Sequence, residues 1–211
     1  MTCQMRYGCS HFPCLDVDHE TYRLPDIEVD PQLIRIALIS EAPPTDAGDY
    51  YYADGRPQAG SLFEQTTVLA FQDAGVDVTS LQELLDLGIY FTTAIKCAKR
   101  NYTVKAATLK TCSKILEQEL SHFRYLRAYL LMGDMAIRSL NYIAQRSGAQ
   151  RVIPAGSTYK IRGAAYRFHG VRAFPSYLQA GPSFFIEKSK RAMIAEDISA
   201  ALRLLDTQSV D

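Results

Sequence analysis

Apolar runs alternate with amphipathic stretches along most of this 211-residue chain, and the alternation sets out an order of strands and helices. Ile34 to Ile39 (IRIALI) is apolar at all but one position and predicts a buried strand. Ser40 to Gly60 carries Pro43, Pro44, Gly48, Gly55 and Pro57, so it predicts a loop without regular structure. The stretch from Leu62 to about Ala74 has helical spacing and stops at Gly75. Ile89 to Ile95 predicts a second strand and Lys105 to Phe123 a second helix. Tyr129 to Met132 predicts a third strand, stopped by Gly133, after which Asp134 caps another helix. Beyond Gly148 the pattern shortens to strand-like pieces, Tyr159 to Arg162 and Tyr166 to Phe174, before a last helix from about Glu187 to Leu205. Strand and helix in alternation give the α/β class. No repeat, low-complexity tract or linker interrupts the order, so one domain is expected over 1–211, with 1–30 as a cysteine-bearing N-terminal segment.

Composition narrows the partners. No apolar run approaches the roughly 20 residues that cross a bilayer, so no membrane partner is expected. Lys plus Arg equals Asp plus Glu at 23 each, so any nucleic-acid signal has to be local. One is present: Lys96, Lys99, Arg100, Lys105, Lys110 and Lys114 follow one another with no acidic residue between them. A second basic stretch holds Arg151, Lys160, Arg162, Arg167 and Arg172, whereas Asp16 to Asp54 is mostly acidic. Near-neutral charge in one domain makes a monomer the plain expectation.

The five cysteines form two groups, Cys3, Cys9 and Cys14, then Cys97 and Cys112. The first residues lack the charged, apolar, small-residue order of a secretory signal, which points to a cytoplasmic chain. In a reducing compartment, grouped thiols serve as metal ligands or redox groups more often than as bridges. Four thiolates suit zinc or an iron-sulfur cluster, and neither spacing matches the close Cys-x2-Cys pairs of zinc sites, so spacing leaves the metal open. His11, His19 and His122 sit in no motif, although His11 is a spare ligand.

Ligands of an open α/β sheet lie beyond the carboxyl ends of its strands. That directs attention to Ser40–Pro44 (SEAPP), Thr92–Asn101 (TTAIKCAKRN) and Pro175–Ser183 (PSYLQAGPS). These segments carry a resemblance. Ile36 to Pro44, IALISEAPP, resembles the first motif of the iron-sulfur branch of the uracil-DNA glycosylase superfamily, a buried strand ending in Gly-Glu-x-Pro-Gly, with Glu41 and Pro43 in place. Gly55-Arg56-Pro57 and Gly60 resemble its Gly-Arg-Pro-Phe-x-Gly loop. Tyr90 to Cys97 resembles its Tyr-x-Thr-Asn-x-x-Lys-Cys strand, and Cys112 falls one residue short of the usual interval to the next ligand. Tyr159 to Pro175 resembles the lead into its second catalytic motif, Phe-Pro-x-x-His-Pro. Each piece is weak alone; their order makes the match specific.

The resemblance implies a central four-stranded parallel sheet with helices on both faces and DNA, single- or double-stranded, bound in a basic groove at the strand ends. A damaged base, uracil or another deaminated base, is flipped into a pocket and its N-glycosidic bond is hydrolysed. It also implies a structural [4Fe-4S] cluster, with zinc as the alternative, tying down the N-terminal segment through Cys9, Cys14, Cys97 and Cys112, with Cys3 in reserve. Glu41, at the end of the first strand, orients water or meets the base; bracing the loop is its alternative role. Ala42, Pro43, Tyr52, Gln58, Thr93 and Leu178 take the pocket positions, and Gln179 is the substitute donor. Lys99, Arg100, Asn101 and Lys105 face DNA. Tyr50, Tyr51 and Tyr52 offer a stacking face or anchor a loop, and His169 is structural.

Three departures fall at the chemistry. Gln58 replaces the stacking phenylalanine, Thr93 the asparagine that reads uracil, and Leu178 the catalytic-motif histidine. Leucine donates no hydrogen bond, and losing one donor to a developing anion costs about 2.7 to 4 kcal/mol. Two functions follow: a glycosylase of changed specificity built on Glu41, Thr93, Gln58 and Gln179, or a noncatalytic DNA-binding relative. Electron transfer gains no support from the thiol pattern alone.

Overall fold

The computed structural model describes residues 8–206. Chain order runs β1 (Val17–Asp18), β2 (Ile36–Ser40), β3 (Tyr52–Ala53), β4 (Arg56–Pro57), α1 (Leu62–Asp73), α2 (Leu81–Asp86), β5 (Ile89–Thr93), β6 (Ala98–Lys99) and α3 (Ala106–Leu120). It continues with β7 (Ala128–Met132), α4 (Asp134–Arg146), α5 (Thr158–Ile161), β8 (Tyr166–Phe168), β9 (Val171–Ser176), α6 (Ser183–Ile186) and α7 (Lys188–Asp206).

The central sheet has the order β5-β2-β7-β9-β8. β5, β2, β7 and β9 run parallel, and β8 is antiparallel to β9. Every residue of β2, β5 and β7 is buried; β2 and β7 are interior parallel strands, and β5 forms the sheet edge, where Tyr52 Oη accepts from Phe91 N–H and donates to Phe91 C=O. α4 and α7 both pack on β7, α4 in company with α3 and α7 with α1.

The sheet is therefore mixed and five-stranded, which corrects the expected purely parallel one. Tyr166 to Phe174 reads as a single strand, yet the chain reverses at His169 and Gly170, whose φ values are 47° and 81°. Two successive positive φ angles make the tight turn that joins antiparallel strands. The His169 ring lies 4.0 Å from that of Phe168, centroid to centroid, and the residue is exposed. Tyr159 to Arg162 is also corrected: it forms one helical turn, α5, in which Ser157 C=O accepts from Lys160 and Ile161 N–H. Four residues are too few for a period of two to be told from a single turn. The sequence pattern passed over α2, although Ser80 accepts from Glu83 N–H, the same start that Ser61 and Glu64 give α1.

Protein contacts fasten the N-terminal segment to the chain after β5. β1 pairs with β6, Val17 opposite Lys99 and Asp18 opposite Ala98. Arg23 N–H donates to Lys96 C=O at 2.7 Å, and Ala98 N–H to Thr21 Oγ1 at 2.7 Å. Asp16 C=O accepts from Arg100 N–H, while its carboxylate takes Lys105 N–H and the Thr108 hydroxyl at the start of α3.

Candidate functional site

Glu41 leaves β2 at its carboxyl end. One oxygen, Oε2, lies 3.0 Å from Lys99 Nζ, and the other, Oε1, lies 3.4 Å from Met135 N–H in the first turn of α4. A helix N-terminus favours negative charge there. Gly133 makes room for it: φ is 101°, and a Cβ at this position would stand 2.6 Å from Glu41 Oε1. Both carboxylate oxygens are thus engaged within the protein, and Glu41 braces the β2 and α4 ends as well as facing the basic loop.

Beside it lies a buried polar network drawn from four segments. Gln179 Nε2 donates to Tyr51 Oη at 2.8 Å, Ser40 Oγ at 3.1 Å and Thr67 Oγ1 at 3.3 Å. Ser40 Oγ and Tyr51 Oη are 2.6 Å apart. Burial pushes the Tyr51 phenol up to about 12 against the opposing pull of Ser40, Thr67 and Gln179, so it stays neutral and keeps its proton for hydrogen bonding. All four side chains belong to fully buried residues, which commits the Gln179 amide to the core instead of presenting it to a base.

The tyrosine run is likewise internal. Tyr50, Tyr51 and Tyr52 are 1%, 0% and 6% exposed, so they anchor the loop and offer no open stacking face. Tyr52 Oη donates to Phe91 C=O at 3.0 Å. Thr93 Oγ1 stands near enough to the Tyr50 phenol to pull its pKa down, against the stronger upward push of burial and the Glu119 charge. Neither hydroxyl completes a hydrogen bond. Ala42 and Pro43 are buried, Leu178 is half-buried, and Gln58 is half-buried with Nε2 on Gly48 C=O and Oε1 unpartnered. A surface cleft of about 770 Å³, lined by Asp73, Arg191 and Glu196, shares no residue with this set.

Lys96 is absent from the basic surface to which its position in the run assigns it. It is fully buried, with Nζ bonded to Glu119 Oε2 at 2.6 Å, Thr93 C=O at 2.7 Å and Thr92 Oγ1 at 2.8 Å. Tyr90 Oη donates to the other Glu119 oxygen at 2.8 Å. The pair joins the end of β5 to α3. Lys99 is partly covered, whereas Arg100, Asn101 and Lys105 are exposed.

Cys97 and Cys112 are buried, Cys9 and Cys14 half-buried, and all four are free thiols. Burial pushes Cys97 up to about 12 and Cys112 to about 11, and in both the charge of the other thiols adds to the rise. The four thus converge on one region, although no three His, Cys, Asp or Glu side chains among the described residues stand close enough to hold one metal ion. All four thiols are unbridged, and burial makes thiolate charge costly there without a cation. Cys3 lies outside the described residues, and His11 is exposed.

Among the described residues no helix is long and apolar enough to cross a membrane. A family profile described as Uracil DNA glycosylase superfamily matches residues 28–197. No curated protein matches the chain.

Proposed function

This chain belongs to the uracil DNA glycosylase superfamily, and from that premise we propose that it binds DNA along the carboxyl edge of its sheet and cleaves the N-glycosidic bond of a damaged base. The base leaves the stack to reach the site. Water adds to the sugar C1′ as the C1′–N bond breaks, the base departs with the electron pair, and the proton lost by the water passes to the base. Glu41 orients that water. The observation carrying this reading is the Glu41–Lys99 pair, which sets a carboxylate 3.0 Å from a cation of the basic loop, at the strand edge where ligands of such sheets bind. Base release from single- and double-stranded oligonucleotides bearing uracil and other damaged bases tests it.

A second reading, a noncatalytic relative that binds unpaired or flipped nucleotides, draws support from the closed Gln179–Tyr51–Ser40–Thr67 network and from Leu178. DNA binding without release from any substrate would select it.

We read Cys9, Cys14, Cys97 and Cys112 as the ligands of a [4Fe-4S] cluster, with zinc as the alternative. When bound, the cluster would tie the N-terminal segment to Cys97 after β5 and to Cys112 within α3, and would supply no chemistry at the glycosidic bond. Iron and sulfide analysis of anaerobically purified protein checks this. The proposed setting is a cytoplasmic monomer.

A further inference from the structure

We propose that Tyr102 is a stacking platform for an unpaired DNA base, working beside the cations of its loop. The proposal rests on the DNA-binding reading above and adds a contact of a different physical kind. A lone exposed tyrosine carries little meaning. This one is 92% exposed, the most exposed large aromatic residue among those described, and its loop is held at both ends. Asp16 takes Arg100 N–H on its backbone oxygen and Lys105 N–H on its carboxylate, where the Thr108 hydroxyl joins. Between these ties Val104 is buried, pinning the loop to the core. The loop that displays Tyr102 is therefore tied on both sides of the ring, and a tyrosine has only two side-chain torsions to order on contact.

Charge around the ring indicates what it faces. Lys99 Nζ lies 5.8 Å from the ring centroid, and Arg100, Asn101 and Lys105 are exposed on the same loop, with no acidic residue from Lys96 to Lys114. An aromatic plane among cations with its surface open to solvent matches a nucleobase with flanking phosphates: the ring takes the base face and the cations take the backbone. Base faces are covered by neighbours in an intact duplex, so the occupant is a base in single-stranded DNA or at an unpaired position.

Fluorescence anisotropy of the full chain with single-stranded and fully paired oligonucleotides, over a range of salt, tests this. Tyr102→Ala is expected to weaken single-strand binding about 5- to 150-fold at fixed salt, leave the log–log salt slope unchanged and barely affect the duplex. Tyr102→Phe keeps the affinity. Lys99→Ala with Arg100→Ala, by contrast, lowers the single-strand slope by up to about 1.4. A fluorescent base analogue in the single strand is quenched by the natural protein and not by Tyr102→Ala. Unchanged affinity in Tyr102→Ala, with the lysine–arginine variant weakened, overturns stacking and leaves a phosphate-only loop. If the natural protein binds no oligonucleotide at any salt, the DNA reading falls and stacking with it.

Discussion

Lys99 Nζ lies 3.0 Å from Glu41 Oε2 and links the basic loop to the carboxylate at the end of β2. The lysine and the glutamate side chains are 23% and 15% exposed, so water still screens the pair. Lys99→Ala should therefore cost at most about 1 kcal/mol in denaturant unfolding while weakening DNA binding. A larger loss of stability would mark the pair as structural and not as a contact free to exchange Glu41 for a phosphate.

Gly133 and Glu41 are matched in space. Gly133→Ala puts a methyl 2.6 Å from Glu41 Oε1 at a φ of 101°, and a stability loss of about 1 to 3 kcal/mol is expected. Part of that loss comes from the carboxylate itself, so Gly133→Ala should cost less on a Glu41→Ala background than alone. Equal costs in the two backgrounds, from unfolding midpoints, would show that backbone strain accounts for all of it.

The buried Lys96–Glu119 pair predicts unequal single and double effects. Lys96→Met leaves Glu119 without its cation in the core and should cost about 3 to 5 kcal/mol. Lys96→Met combined with Glu119→Leu removes both charges and should be more stable than either single variant. A double variant less stable than both singles, by chemical denaturation, contradicts the account.

Tyrosine ionisation separates the buried set from the rest. Burial holds Tyr51 and Tyr129 up to about 12, and Tyr50 and Tyr52 well above their ordinary value of 10. In the unfolded chain all four ionise near 10. Their stabilisation is complete below that pH and is lost as pH rises toward the folded values, by about 1.4 kcal/mol per pH unit for each, because the unfolded state binds fewer protons. Ultraviolet titration should show a subset of the 13 tyrosines ionising only with unfolding. A single step near pH 10 in the folded protein would contradict the burial of this set.

What the sequence made legible follows from physics. β2 and β7 stand out because interior parallel strands are apolar throughout, and β5 because it is buried along its length even at the sheet edge; Ser-x-x-Glu stands before both α1 and α2, but the six residues of α2 are too few to show a helical period. The β8–β9 hairpin hid because its turn begins with a histidine at positive φ where glycine is the usual sign. Lys96 looked solvated among basic neighbours, since its partner Glu119 sits 23 residues away on α3. Gln179 lies 139 residues from Ser40, and local patterning carries no information about such a contact. Glu41 and the exposed loop cations were legible through motif and charge, whereas the burial of Tyr50, Tyr51 and Tyr52 depended on packing alone.

Base release decides the central claim. Iron-loaded protein, prepared anaerobically, is incubated with single- and double-stranded oligonucleotides carrying uracil and a panel of other damaged bases, alongside Glu41→Gln. The account predicts release of at least one base and its loss in Glu41→Gln with DNA affinity retained. No release from any substrate, while the protein still binds the DNA, contradicts it and leaves a noncatalytic binder in which Leu178 occupies the place of the missing donor.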